Sequence, residues 1–291
     1  TRAEVADQVN ADNFDGNSLY PGYYEWLTGI GVTGDGVTLA CVDTGVCDEH
    51  PDLVNRVMDC VGESCNDGEC TGHGTRVAGV LVGDGGSGVN DPWGFRAGLG
   101  LAPRSMIIDQ VFSPVYEEPD GMLRLMRTSW LNGAVLSNNS WGPSATALGY
   151  DLDTRLVDVG VRDADSEAFG NQPLGYVLSI MNGSGGYQSQ GTPDEALNII
   201  SVGATELRTA GGVLQSSYDD VASVSAHGPC LDGRLLPDLV APGCFILSPS
   251  GPSSWDYTCG TSMAAPQVAG ALGLFTDFYK STVSLGRDPS P

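Results

Sequence analysis

The sequence predicts an α/β fold in which a mainly parallel central sheet is covered by helices on both faces. Short runs of Val, Ile, Leu and Ala recur along the 291 residues, separated by segments of helix-like composition. Those runs are apolar along most of their length instead of alternating with polar residues, the pattern of strands buried on both faces. Alternation of such strands with helices builds parallel βαβ units. A hydrophobic content of 41% is enough for one large core, expected over residues 1–280. Residues 281–291, "STVSLGRDPSP", read as a tail or linker.

The first strand is expected in "GVTLACV" at 36–42, delivering Asp43 at its carboxyl end, and "GHGTRVAGVLVG" at 72–83 reads as a turn entering a helix. Further strands are expected at 106–112, 133–140, 176–181 and 198–204, with helices at 121–132 and 153–164. The Gly- and acid-rich stretches 84–92 and 117–121 read as loops whose acids are mostly solvated. In such sheets ligands gather at the carboxyl ends of the strands, where Asp43 would stand.

Thirteen basic residues against 36 acidic ones give a formal charge of −23, and Lys280 is the sole lysine. Phosphates need a positive face, so this balance argues against a nucleic-acid partner. Without an apolar run of about 18 residues it has no segment that reads as a spanning helix, and no membrane partner is expected. Eight cysteines point to an oxidising, extracellular compartment and as many as four disulfides. The start at Thr1, without Met or an apolar leader, fits a secreted form from which a propeptide has been removed. Cys60, Cys65, Cys70 and His73 have the makings of a Cys3His zinc site, but in a secreted chain disulfides are the expected use of those thiols.

"TCGTSMAAPQVAGALGLF", 258–275, sets Ser262 between a Gly-Thr turn and a run of small helix-compatible residues. A serine there can simply cap a helix. The same helix start also supplies the positive potential that suits a nucleophile whose attack creates an oxyanion. A serine hydroxyl needs a base to take its proton, and the base needs a group to orient it. Of the three histidines, His50, His73 and His227, only His73 stands between glycines at an expected helix start, in "TGHGTRVAGV". Asp43, in "LACVDTGV", is suited to fix the imidazole tautomer, although an Asp at that boundary can also serve an Asx turn.

The segments "VDTGV", "GHGTRVAG" and "GTSMAAPQVAG", in that order, resemble the subtilisin-like serine proteases. "EHPDL", "LAPRSMI", "NNSWG" and "SAHGPCLDGRLLPDLVAPG" extend the likeness; "GHGTR" and "NNSWGP" lean toward the kexin-like branch and "GTSMAAP" toward the bacterial one. The resemblance implies a three-layer subtilisin-like fold and an endopeptidase acting on protein or peptide substrates through Asp43, His73 and Ser262, with no catalytic metal. It implies that Ser140, Trp141 and Gly142 pair with an extended substrate. Structural calcium is implied too, with Asp52 of "HPDL" as a ligand and further oxygen donors in the 84–91 loop. The oxyanion hole is expected from the Ser262 N–H and a side chain in "YVLSIMNGSGG". Continuing the strand without a gap gives Asn182 that role, and matching the later glycines gives Ser184. Asn182 is the expected donor, because an amide N–H must donate whereas a hydroxyl chooses its orientation. An esterase-type nucleophile elbow would require G-x-S-x-G after a strand, which "NGSGG" only approaches.

Overall fold

A computed structural model describes residues 3–62, Cys65 and residues 70–282. Eight strands form its main sheet: β1 (Thr38–Asp43), β2 (Val57–Met58), β3 (Met106–Val111), β4 (Leu136–Asn139), β5 (Gly175–Ser179), β6 (Ile200–Glu206), β7 (Leu239–Pro249) and β8 (Trp255–Cys259). Their spatial order is β8-β7-β6-β5-β4-β1-β3-β2, and every pairing is parallel except that of β8 with β7. Six helices accompany it: α1 (Ala3–Asn10), α2 (Tyr23–Ile30), α3 (His73–Val82), α4 (Gly121–Leu131), α5 (Leu152–Arg162) and α6 (Thr261–Thr282).

Successive side chains of a strand point to opposite faces, and the core divides accordingly. Leu39, Cys41, Ile107 and Val177 pack with Val77, Ala78 and Leu81 of α3 and with Met263, Ala264, Ala265 and Ala269 of α6. Ala40, Val42, Ile108 and Leu178 pack with Met122, Leu125 and Met126 of α4 and Val157 of α5. These are two helix layers on a sheet apolar on both sides, the expected three-layer α/β architecture. The small residues of α6 let it lie close: a Cβ on Gly270 would stand 2.9 Å from that of Leu101.

The expected strands and helices fall within a few residues of those observed. The β7–β8 hairpin that leads into α6 was not legible, because Pro242, Gly243 and Pro249 interrupt its apolar pattern. Helices α1 and α2, and a small sheet of four two-residue strands, were likewise missed. Gly121, where the expected loop meets the expected helix, begins α4, and Val115–Glu117 is a 3₁₀ turn. Helix α6 continues through Thr282, past the expected domain end at 280, and the rest of the expected tail lies outside the described residues. Among the described residues no helix is long and apolar enough to cross a membrane.

Three disulfides form, Cys47–Cys70, Cys60–Cys65 and Cys244–Cys259, while Cys41 and Cys230 are free and buried. The upper expectation of four is therefore corrected: Cys41 is locked inside β1 and cannot reach a partner. The zinc reading fails with the pairing of Cys60, Cys65 and Cys70, whose sulfurs are spent in disulfides.

Candidate active site

Asp43, His73 and Ser262 come from three separate elements. Asp43 is the last residue of β1 and fully buried; His73 is the first residue of α3; Ser262 is the second residue of α6. His73 Nδ1 lies 2.8 Å from Asp43 Oδ1, which also accepts the Thr44 N–H at 2.8 Å. This contact is possible because residue 74 is glycine: a Cβ there would stand 2.4 Å from the Gly45 carbonyl oxygen and 3.2 Å from Asp43 Cβ. The Cys47–Cys70 bridge ties the loop after Asp43 to the segment before His73, and Cys244–Cys259 braces the strand that ends just before Ser262.

Burial lowers the affinity of His73 for a proton, but the hydrogen bond and charge of Asp43 outweigh it, while Arg76 opposes them. The imidazole pKa ends above its ordinary 6.5. Such a histidine is a stronger base than a free one.

Ser262 shares with His73 a cleft of about 240 Å³, lined also by Arg76, Asn182, Thr258, Cys259, Gly260 and Met263. The Ser262 hydroxyl donates to the Ser140 carbonyl at 3.1 Å, so it must leave that acceptor to present its proton to His73. Proline shapes this corner from a distance. Pro266 has no N–H to give the Ser262 carbonyl four residues earlier, and that carbonyl accepts the Ser140 hydroxyl at 3.0 Å instead. Nucleophile and edge segment are thereby cross-linked in both directions.

Asn182 Oδ1 accepts the Thr261 N–H at 3.0 Å and the Thr261 hydroxyl at 3.2 Å. With its oxygen so anchored, the amide presents Nδ2 as the free donor beside Ser262, whose own N–H belongs to the unpaired first turn of α6. Ser184 does not line the cleft and adopts φ 53 in the following turn. Ser140 and Trp141 are buried, and the Trp141 ring stacks on Phe112 at 4.1 Å between centroids, so this segment offers backbone, not side chains, to a ligand.

A profile of the subtilase family matches residues 34–285. The chain belongs to the subtilase family. This subtilase is 30% identical to serine protease AprX of Bacillus subtilis over 265 residues, covering 84% of the chain and 57% of AprX. It is 31% identical to subtilisin BL of Lederbergia lenta over 248 residues, covering 84% of the chain and 77% of that protein. Among solved structures, sphericase superposes with a TM-score of 0.64 at 23% identity, over 97% of the chain and 84% of sphericase. The subtilase chain spans little more than half of several of these relatives, 57% of AprX and 58% of a subtilisin from Bacillus sp. TA39.

Subtilisins generally bind structural calcium, so the carboxylate expected to hold it is informative. In this subtilase Asp52 is fully buried; its Oδ1 accepts the Ser87 N–H at 2.9 Å and its Oδ2 accepts the Trp255 indole N–H at 2.8 Å. A Cβ on Gly98 would stand 1.7 Å from that Oδ2. Asp84 accepts the Gly86 N–H at 2.8 Å, and Asp91 Oδ1 accepts those of Trp93 and Phe95. Each Asp52 oxygen is thus held by an N–H donor in a packed corner, an arrangement that fits an internal hydrogen-bond acceptor better than a ligand in an oxygen-lined calcium site.

Proposed function

We propose that this subtilase is a secreted serine endopeptidase in which Asp43, His73 and Ser262 form the catalytic triad. The observation that carries the reading is the 2.8 Å contact between Asp43 and His73 at the mouth of the cleft that also holds Ser262. His73 takes the Ser262 proton as Oγ attacks the peptide carbonyl, and Asp43 holds the imidazole tautomer and stabilises the imidazolium. The Ser262 N–H and Asn182 Nδ2 receive the oxyanion. His73 then protonates the leaving amine, and water hydrolyses the acyl-enzyme by the same proton transfers. Ser140, Trp141 and Gly142 align the substrate as an added strand through their backbone.

Three disulfides support an oxidising extracellular location, and a propeptide is the natural partner of such an enzyme during maturation. Any structural calcium in the protein would be held elsewhere than at Asp52. The test is labelling by a fluorophosphonate together with peptide hydrolysis. Both are expected in the parent and abolished in Ser262→Ala; labelling that persists in that variant would refute the assignment of the nucleophile.

A further inference from the structure

We propose that Met181 closes the slot for the substrate side chain that precedes the scissile bond, so that the enzyme cuts after glycine or alanine and discriminates against large residues there. The inference rests on the peptidase reading above. An acyl carbon within reach of Ser262 Oγ and Asn182 Nδ2, on a chain aligned with 140–142, directs its neighbouring side chain between the continuations of β4 and β5. Those strands pair Asn139 with Leu178, and carrying that register three residues further sets Gly142 opposite Met181. The loop at Gly191 lies against the same gap, where the isolated bridge of Ser144 with Thr192 joins it to the segment after Gly142.

The thioether of Met181 spans this gap. Its Cε is 2.0 Å from the point where a Cβ on Gly142 would stand, and its Cγ is 2.7 Å from the corresponding point on Gly191. The Thr192 carbonyl oxygen lies 2.6 Å from the first point and the Ser144 carbonyl oxygen 2.1 Å from the second, so backbone closes what the methionine leaves. Both facing positions are therefore glycine, and the width those glycines provide is consumed by one side chain.

Met181 is held in place at both ends. Its side chain packs against the buried cluster of Ile180, Ala226, Cys230 and Leu236, and its carbonyl accepts the Ala226 N–H at 3.0 Å. The buried carboxylate of Asp194 accepts the Gly191 N–H at 2.7 Å and also faces the Met181 N–H. One side chain thus pins the backbone of the plug and of the glycine opposite it. None of Gly142, Met181 and Gly191 lines the 240 Å³ cleft beside Ser262, whose open volume is bounded instead by Arg76, Thr258, Cys259 and Met263.

The experiment uses fluorogenic peptide amides that differ only in the residue before the cut, Gly, Ala, Leu or Phe, on the parent, Met181→Gly and Met181→Ala. The parent is expected to prefer Ala over Phe in kcat/KM by at least about tenfold, the scale on which a pocket rejects an extra group. Either substitution should raise the Phe-to-Ala ratio by at least about tenfold, with glycine giving the larger change. A parent that cuts after Phe as readily as after Ala, or an active variant with an unchanged ratio, overturns the inference while leaving the peptidase reading intact. Failure of every protein to cut any of the four peptides overturns both.

Discussion

Asp52 separates two accounts of stability in this subtilase, one resting on a bound cation and one on hydrogen bonds internal to the protein. Replacing it with alanine leaves the half-buried Ser87 amide and Trp255 indole, now bonded at 2.9 and 2.8 Å, without that acceptor. A fully buried stranded donor costs about 1–3 kcal/mol, and for two half-buried ones that water partly reaches the total for Asp52→Ala is about 1–3 kcal/mol. In a protein of this size that corresponds to a Tm lowered by roughly 2 °C or more. Thermal unfolding is best followed in a Ser262→Ala background, free of self-digestion, with calcium and with a chelator. The loss caused by Asp52→Ala should have the same size in both conditions. If chelation lowers the Tm of the protein that retains Asp52 by the full amount and leaves the Asp52→Ala variant unaffected, the carboxylate is acting on a metal and the hydrogen-bond account is wrong.

Asn182→Ala should lose about 10²–10³ in kcat with little change in KM, the cost of removing such a donor in subtilisin itself, and Ser184→Ala much less. The reverse ranking in steady-state assays would place the oxyanion donor at Ser184. The proposed mechanism requires neutral His73, so kcat/KM should fall as pH drops through a pKa above 6.5, and Arg76→Gln should move that limb to higher pH by removing an opposing charge. A limb that stays or moves down would count against the stated balance of charges. Burial lifts Asp194 from 3.8 to about 7, although the Gly191 and Met181 N–H groups pull it back. The folded state then binds a proton that the unfolded state releases. The stability linked to this residue is full below about pH 4 and lost as pH rises through about 7, with a span on the order of 4 kcal/mol. Unfolding measured across that window should show Asp194→Asn gaining on the parent as pH rises, and a constant difference would refute the linkage.

The strands that carry Asp43 and build the sheet centre were legible because a strand buried on both faces has to be apolar throughout, as in 38–43 and 106–111. The motifs around His73 and Ser262 were legible because glycine and small residues are demanded locally, Gly74 by the approach of the Gly45 carbonyl and the alanines of α6 by close packing. The two sequence positions open for the oxyanion donor differ in the structure by what they touch: Asn182 meets Thr261 and the cleft, and Ser184 does neither. The hydrogen bond that Trp255 donates to Asp52 joins residues 203 apart along the chain, and no local pattern announces it. Likewise Cys47 could be matched with Cys70, and Cys41 recognised as unpaired, only from distance in space. Met181 read as the end of a strand, and its position between Gly142 and Gly191 emerged only when three segments converged. The layers were readable from apolar runs along the chain, and the candidate catalytic trio from three short motifs that resemble a known family, since both signals act over a few residues. The tertiary structure decided the fit of Asp52 to a cation, the cysteine pairing and the shape of the substrate slot, because burial and hydrogen-bond partnership depend on residues that meet only after the chain has folded.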